Sequence, residues 1–98
     1  MIVKKRHRVN NTVEIIFEVD RGDADAVALV CDVEDWQPTP MRRANRGKGP
    51  FRAKLVLGTG EEAHFRYLVN GEEWLDDPGA DDYVSNAYGG VNGVVRAS

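Results

Sequence analysis

This chain has few residues suited to covalent chemistry. Its 98 residues include one cysteine, Cys31, and two histidines, His7 and His64. A single cysteine excludes an intramolecular disulfide. Its place in the apolar run from Ala26 to Cys31 marks it as a small buried hydrophobe, not a nucleophile. The histidines have neither metal-ligand spacing nor the companions of a catalytic triad, so no metal and no cofactor is expected. No apolar stretch is long enough to cross a membrane. The positive residues near the amino terminus are followed by no hydrophobic region, so a secretory signal is not expected and a cytoplasmic setting is the default. A sustained helical period, repeats, low-complexity tracts and linkers are also missing. One domain spanning residues 1–98 is expected.

Charge is mildly negative overall but unevenly placed. Lys4, Lys5, Arg6 and Arg8, with His7 among them, form a basic cluster in segment 1–9, and the rest of the chain is distinctly acidic. Such a cluster can touch nucleic acid or anionic lipid. The favoured reading is a solvated edge strand guarded by charge. An acidic body argues against nucleic acid as ligand, because phosphate contacts need many cations.

Two-residue alternation is abundant. Val13, Ile15, Phe17 and Val19 alternate with Glu14 and Glu18. Phe51, Ala53, Leu55 and Leu57 alternate with Arg52 and Lys54, and Phe65, Tyr67 and Val69 with His64, Arg66 and Leu68. These are half-buried strands, and Ala26 to Cys31 reads as a central one. Turns are expected at Arg21-Gly22-Asp23, at 45–50, at Gly58-Thr59-Gly60, at Asn70-Gly71 and at Asp77-Pro78-Gly79. Pro38-Thr39-Pro40 is expected to exclude regular pairing. A last short strand runs from Val91 to Arg96. Short strands separated by turn signals indicate an antiparallel sandwich. Its core is expected to hold Val13, Ile15, Phe17, Leu29, Phe51, Leu55, Leu57, Phe65, Tyr67 and Val69.

Both tryptophans stand in polar surroundings. Trp36 sits beside Glu34, Asp35 and Gln37, and Trp74 beside Glu72, Glu73, Asp76 and Asp77. A large apolar ring held at a wet surface points to a flat ligand-stacking site. The turn after Val69 decides where Trp74 points. A two-residue loop, Asn70-Gly71, pairs Trp74 with Tyr67 on the core face. A three-residue loop, Asn70 to Glu72, pairs it with Leu68 and places it on the outer face with Arg66 and His64. The acidic neighbours favour the outer face.

The order of motifs resembles a known family. Asp32-x-x-x-Trp36 is followed by Pro40-Met41, a Gly-rich turn and Phe51-x-x-x-Leu55-x-Leu57. Then come Phe65-Arg66-Tyr67-Leu68-Val69-Asn70-Gly71, Trp74, Asp77-Pro78 and Asn92 with its valines. This is similar to the glycogen- and starch-binding module of isoamylases, branching enzymes and the AMP-activated protein kinase β subunit (carbohydrate-binding module family 48). The small stand-alone bacterial form is most alike, and the likeness covers about residues 13–95. It implies an all-β, immunoglobulin-like (early-set) antiparallel β-sandwich that binds α-1,4-glucan. It further implies that Trp36 and Trp74 stack on neighbouring glucose rings and that Arg66, in place of a lysine, and Asn92 bond sugar hydroxyls. Tyr88 would abut the sugar. The family's Gly-x-Phe-Asn-x-Trp is replaced here by Cys31-Asp32-Val33-Glu34-Asp35-Trp36.

The chemistry is coherent without the family. A pyranose has an apolar face of C–H groups for an aromatic plane and an edge of hydroxyls for charged and amide groups. Each stacked ring adds ~0.5–1.5 kcal/mol beyond area burial, so affinity is expected to be modest, with a dissociation constant of roughly 10 μM to 1 mM. Catalysis is not expected. Glycoside hydrolysis needs a carboxylate pair about 5–10 Å apart; no spacing singles out a pair among acids such as Asp76, Asp77, Asp81 and Asp82, most of which read as solvated loop charges or turn formers. The catalytic barrel of the larger enzymes is not part of this sequence. Two classes of function remain. One is a glucan-binding module, acting alone or recruiting an amylolytic partner. The other is an interaction or structural sandwich with a decayed sugar site, whose tryptophans anchor a protein.

Overall fold

In a computed structural model, described at residues 1–43, 47–87 and 89–98, the chain is an all-β sandwich of two antiparallel sheets. The strands in chain order are β1 (Ile2–His7), β2 (Thr12–Val19), β3 (Val27–Cys31), β4 (Thr39–Pro40), β5 (Arg42–Arg43), β6 (Phe51–Gly58), β7 (Glu62–Val69), β8 (Glu73–Leu75), β9 (Asp82–Ser85) and β10 (Val91–Arg96). The first sheet has the order β1-β2-β6-β5. The second has the order β4-β3-β7-β10-β9, with β8 also paired to β7.

The two-residue period dictates the packing. In β2 the odd-numbered residues Val13, Ile15, Phe17 and Val19 are buried while their neighbours are half exposed. β7 repeats this with Ala63, Phe65, Tyr67 and Val69. All ten residues assigned to the core from alternation are buried. Phe17, Phe65 and Tyr67 form its aromatic centre, with centroids 4.9 Å apart for Phe17–Phe65 and 5.5 Å for Phe65–Tyr67. Their tilted and edge-on geometry is that preferred by ring quadrupoles. Gly93 faces this cluster from β10. A Cβ there would lie 2.9 Å from a Phe65 ring carbon, so only glycine lets the two strands close over the ring.

The basic segment is the edge strand β1, paired antiparallel to β2 from Ile2↔Phe17 to His7↔Thr12. Its lysines and arginines occupy an edge where charge discourages pairing with another chain.

Three expectations need correction. Pro38-Thr39-Pro40 does not exclude pairing. Thr39–Pro40 pairs with Leu29 and Ala28, because an edge position tolerates the missing proline N–H. Asp77 forms its turn, accepting from the Gly79 N–H at 2.8 Å, but it is not solvated: it is 2% exposed and also accepts from the Tyr67 hydroxyl at 2.7 Å and the amino-terminal ammonium at 3.1 Å. Burial pushes its pKa up, but these donors outweigh burial and hold the carboxyl below its ordinary value. Asp76 is half-buried and paired rather than free in solvent. The turn expected at 45–50 falls partly outside the described residues.

Candidate functional site

The loop after Val69 has three residues. Val69 pairs with Glu73, Leu68 with Trp74 and Tyr67 with Leu75. Asn70 and Gly71 both take left-handed backbone, φ 53° and 70°, which asparagine and glycine adopt at least cost. The Asn70 side-chain oxygen accepts from the Asp25 and Ala26 N–H groups at 2.8 and 3.0 Å, tying the loop to the segment before β3. Trp74 therefore lies on the outer face with Arg66, as its polar neighbours indicated, and is 49% exposed. Glu73 is held by two bonds from the Arg21 guanidinium, at 3.1 and 3.2 Å.

Trp36 reaches the same face by a different device. Asp32–Glu34 forms one 3-10 turn after β3. The Asp32 carboxylate accepts from the His64 backbone N–H at 3.0 Å, which anchors the turn to β7. Asp35 and Trp36 then both adopt left-handed backbone, φ 56° and 59°, and the Trp36 N–H closes the reversal onto the Cys31 carbonyl at 2.9 Å. This is the seal of a helix end, normally made with glycine. A bulky residue in this region is a strained outlier. The ring is 43% exposed.

Arg66 stands between the tryptophans. On one edge of β7, the ladder to β10 ends at Phe65↔Gly93 and the ladder to β8 begins at Tyr67↔Leu75. Arg66 lies at this junction, where β8 and β10 meet end to end. Its Nε donates to Asp76 at 3.1 Å. Its guanidinium carbon lies 5.3 Å from the Trp74 ring centroid, within cation–π range. Asn92 precedes Gly93 and so shares the outer face with Arg66. Beneath them Val30, the cross-strand partner of Arg66, is 4% exposed although it faces away from the core.

The outcome is an open groove of about 960 Å³, at the upper end of small-ligand sites. Its walls include Trp36, Trp74, Arg66 and Asn92, with Val30 as an apolar floor. Four of the five residues singled out from the sequence thus converge on one cavity. The fifth, Tyr88, lies outside the described residues. Asn86 and Gly90 also line the groove and were not anticipated. Nothing in the sequence spacing placed them against Arg66.

Among the described residues, the groove has flat apolar walls, one cation and amides, but no thiol or imidazole. Cys31 is buried beneath the loop. Burial, and then the nearby Glu34 charge, push its thiol up to about 11, so it stays protonated. His64 shares the outer face but does not line the groove. Among the described residues no three His, Cys, Asp or Glu side chains gather as metal ligands would. No helix among them is long and apolar enough to cross a membrane. No protein-family model and no curated protein matches the chain.

Proposed function

We propose that this chain is a non-catalytic module that binds α-1,4-linked glucan, as glycogen, starch or maltooligosaccharide, in the groove between Trp36 and Trp74. In this reading it is related to the amino-terminal modules of isoamylases and branching enzymes. It acts in the cytoplasm, alone or by bringing an amylolytic partner to the glucan, and neither nucleic acid nor membrane is its ligand. One observation carries the proposal: two exposed indoles, one from the loop after β3 and one from β8, line the same groove as the Arg66 guanidinium over a buried apolar floor. Each indole covers the C–H face of one glucose unit. Arg66 and Asn92 bond hydroxyls at the sugar edge. Asp76 and the Trp74 ring hold the Arg66 guanidinium in place, which lowers the entropy lost when sugar binds.

Electrophoresis through a native gel containing glycogen tests this. The wild-type protein is expected to be retarded and Trp36→Ala to run as in a plain gel. Equal mobility of the wild type with and without glycogen would favour a protein interface anchored by the same tryptophans. Release of reducing ends from glycogen by the pure protein would contradict the non-catalytic assignment.

A further inference from the structure

The amides beside Arg66 are arranged in a fixed order. Three bonds define it. The Gly90 N–H donates to the Asn86 side-chain oxygen at 3.1 Å, the Asn86 N–H donates to the Gly90 carbonyl at 3.0 Å, and Asn86 Nδ2 donates to Asn92 Oδ1 at 3.2 Å. A backbone N–H can only donate, so the first bond settles which end of the Asn86 amide faces Gly90. Its nitrogen must then face Asn92. Asn92 in turn must offer its oxygen to Asn86, which leaves its Nδ2 as the group presented to a ligand. Arg66 is likewise donor-only. Its Nη1 and the Asn86 Nδ2 crowd the same side of Gly90, where a Cβ would meet them at 3.3 and 3.4 Å.

We propose that Asn86 is a positioning residue that fixes Asn92 as a hydrogen-bond donor, so that this end of the groove recognises acceptor oxygens of the ligand. The inference rests on the glucan reading above and specifies the polarity of its sugar contacts. A glucose unit meets it through hydroxyl lone pairs and through ring and glycosidic oxygens, which only accept. An aminosugar that offers an ammonium at the same place meets donors with donors and is rejected.

Asn86→Asp separates this role from a structural one. The carboxylate still accepts from the Gly90 N–H, so the contact between residues 86 and 90 is retained. Toward Asn92 it can only accept, so the Asn92 amide turns over to donate to it and presents its oxygen to the groove. Affinity for maltoheptaose, read by tryptophan fluorescence, is expected to fall about three- to tenfold in N86D, as in N92A. In the double variant N86D/N92A the loss should equal that of N92A alone, within about twofold. In the free protein, the Asn92 side-chain amide resonances should move in N86D while the Gly90 backbone amide keeps its protection from exchange.

Wild-type affinity in N86D, or a further loss when N86D is added to N92A, would overturn the inference while leaving the glucan reading intact. The second result would mean that the new charge acts through Arg66 instead. Failure of the wild-type protein itself to bind maltoheptaose would overturn both.

Discussion

At the scale of single residues, the proposed function and local stability pull apart at Trp36. Its left-handed backbone suits glycine, yet the residue is a tryptophan. Trp36→Gly is therefore expected to be more stable than Trp36→Ala by about 1 kcal/mol, since alanine keeps the backbone penalty. Neither should bind glucan. Paired thermal melts check this, and an alanine variant at least as stable as the glycine one would deny the left-handed conformation. Asp77 shows the opposite balance, a charge buried for structure. Its depressed pKa contributes stability at pH values above the ordinary value of 3.8, and that contribution is lost as pH falls through the lower folded value. Tyr67→Phe removes one of its donors, costs about 1–3 kcal/mol and moves the acid-unfolding midpoint to higher pH. Urea titrations across pH 2–7 would show an unmoved midpoint if the Tyr67 bond did not matter. The Tyr67 hydroxyl, raised by burial and then by the Asp77 bond, stays protonated throughout.

At the scale of elements, loop length decides whether there is a platform. Three residues between Val69 and Glu73 put Trp74 outside, and two would put it inside. Deleting Glu72 leaves Asn70-Gly71, a sequence well suited to a two-residue hairpin turn. The indole is then expected to turn to the core face, with a blue-shifted fluorescence and loss of glucan binding. Unchanged emission and affinity would show that the loop had adjusted without changing the register. Sequence alone framed both alternatives here, because side-chain parity follows from counting residues. The long strands were legible for the same reason: β2, β6 and β7 alternate cleanly, and so was the core they bury. The short strands β4, β5 and β9 were not. Two to four residues carry no period, and Thr39–Pro40 pairs only because β3 offers it an edge. The anchoring of Trp36 through Asp32 to β7, and the Asn86–Asn92 contact, join residues far apart or polarities that spacing cannot encode.

At the scale of the whole molecule, the groove and the basic strand belong to different sheets. The groove lies on the outer face of the second sheet, where β8 and β10 meet along β7, and the basic strand β1 closes the far edge of the first sheet. Lys4 bonds Asp81 at 2.6 Å and Arg6 bonds the Ser98 carbonyl at 2.6 Å. Much of the basic cluster is thus engaged within the fold, consistent with an edge strand guarded by charge. The sandwich acts as a rigid support that carries Trp36, Arg66, Trp74 and Asn92 on separate elements into one site. That these four residues bind one α-1,4-glucan chain is the central claim. The most direct measurement is a titration of the 15N-labelled protein with maltoheptaose, followed by backbone and indole resonances. The expected result is saturable shifts confined to the groove, including both indole N–H signals, with a dissociation constant of roughly 10 μM to 1 mM. Unmoved indole signals at millimolar sugar, or shifts clustered on β1, would contradict it.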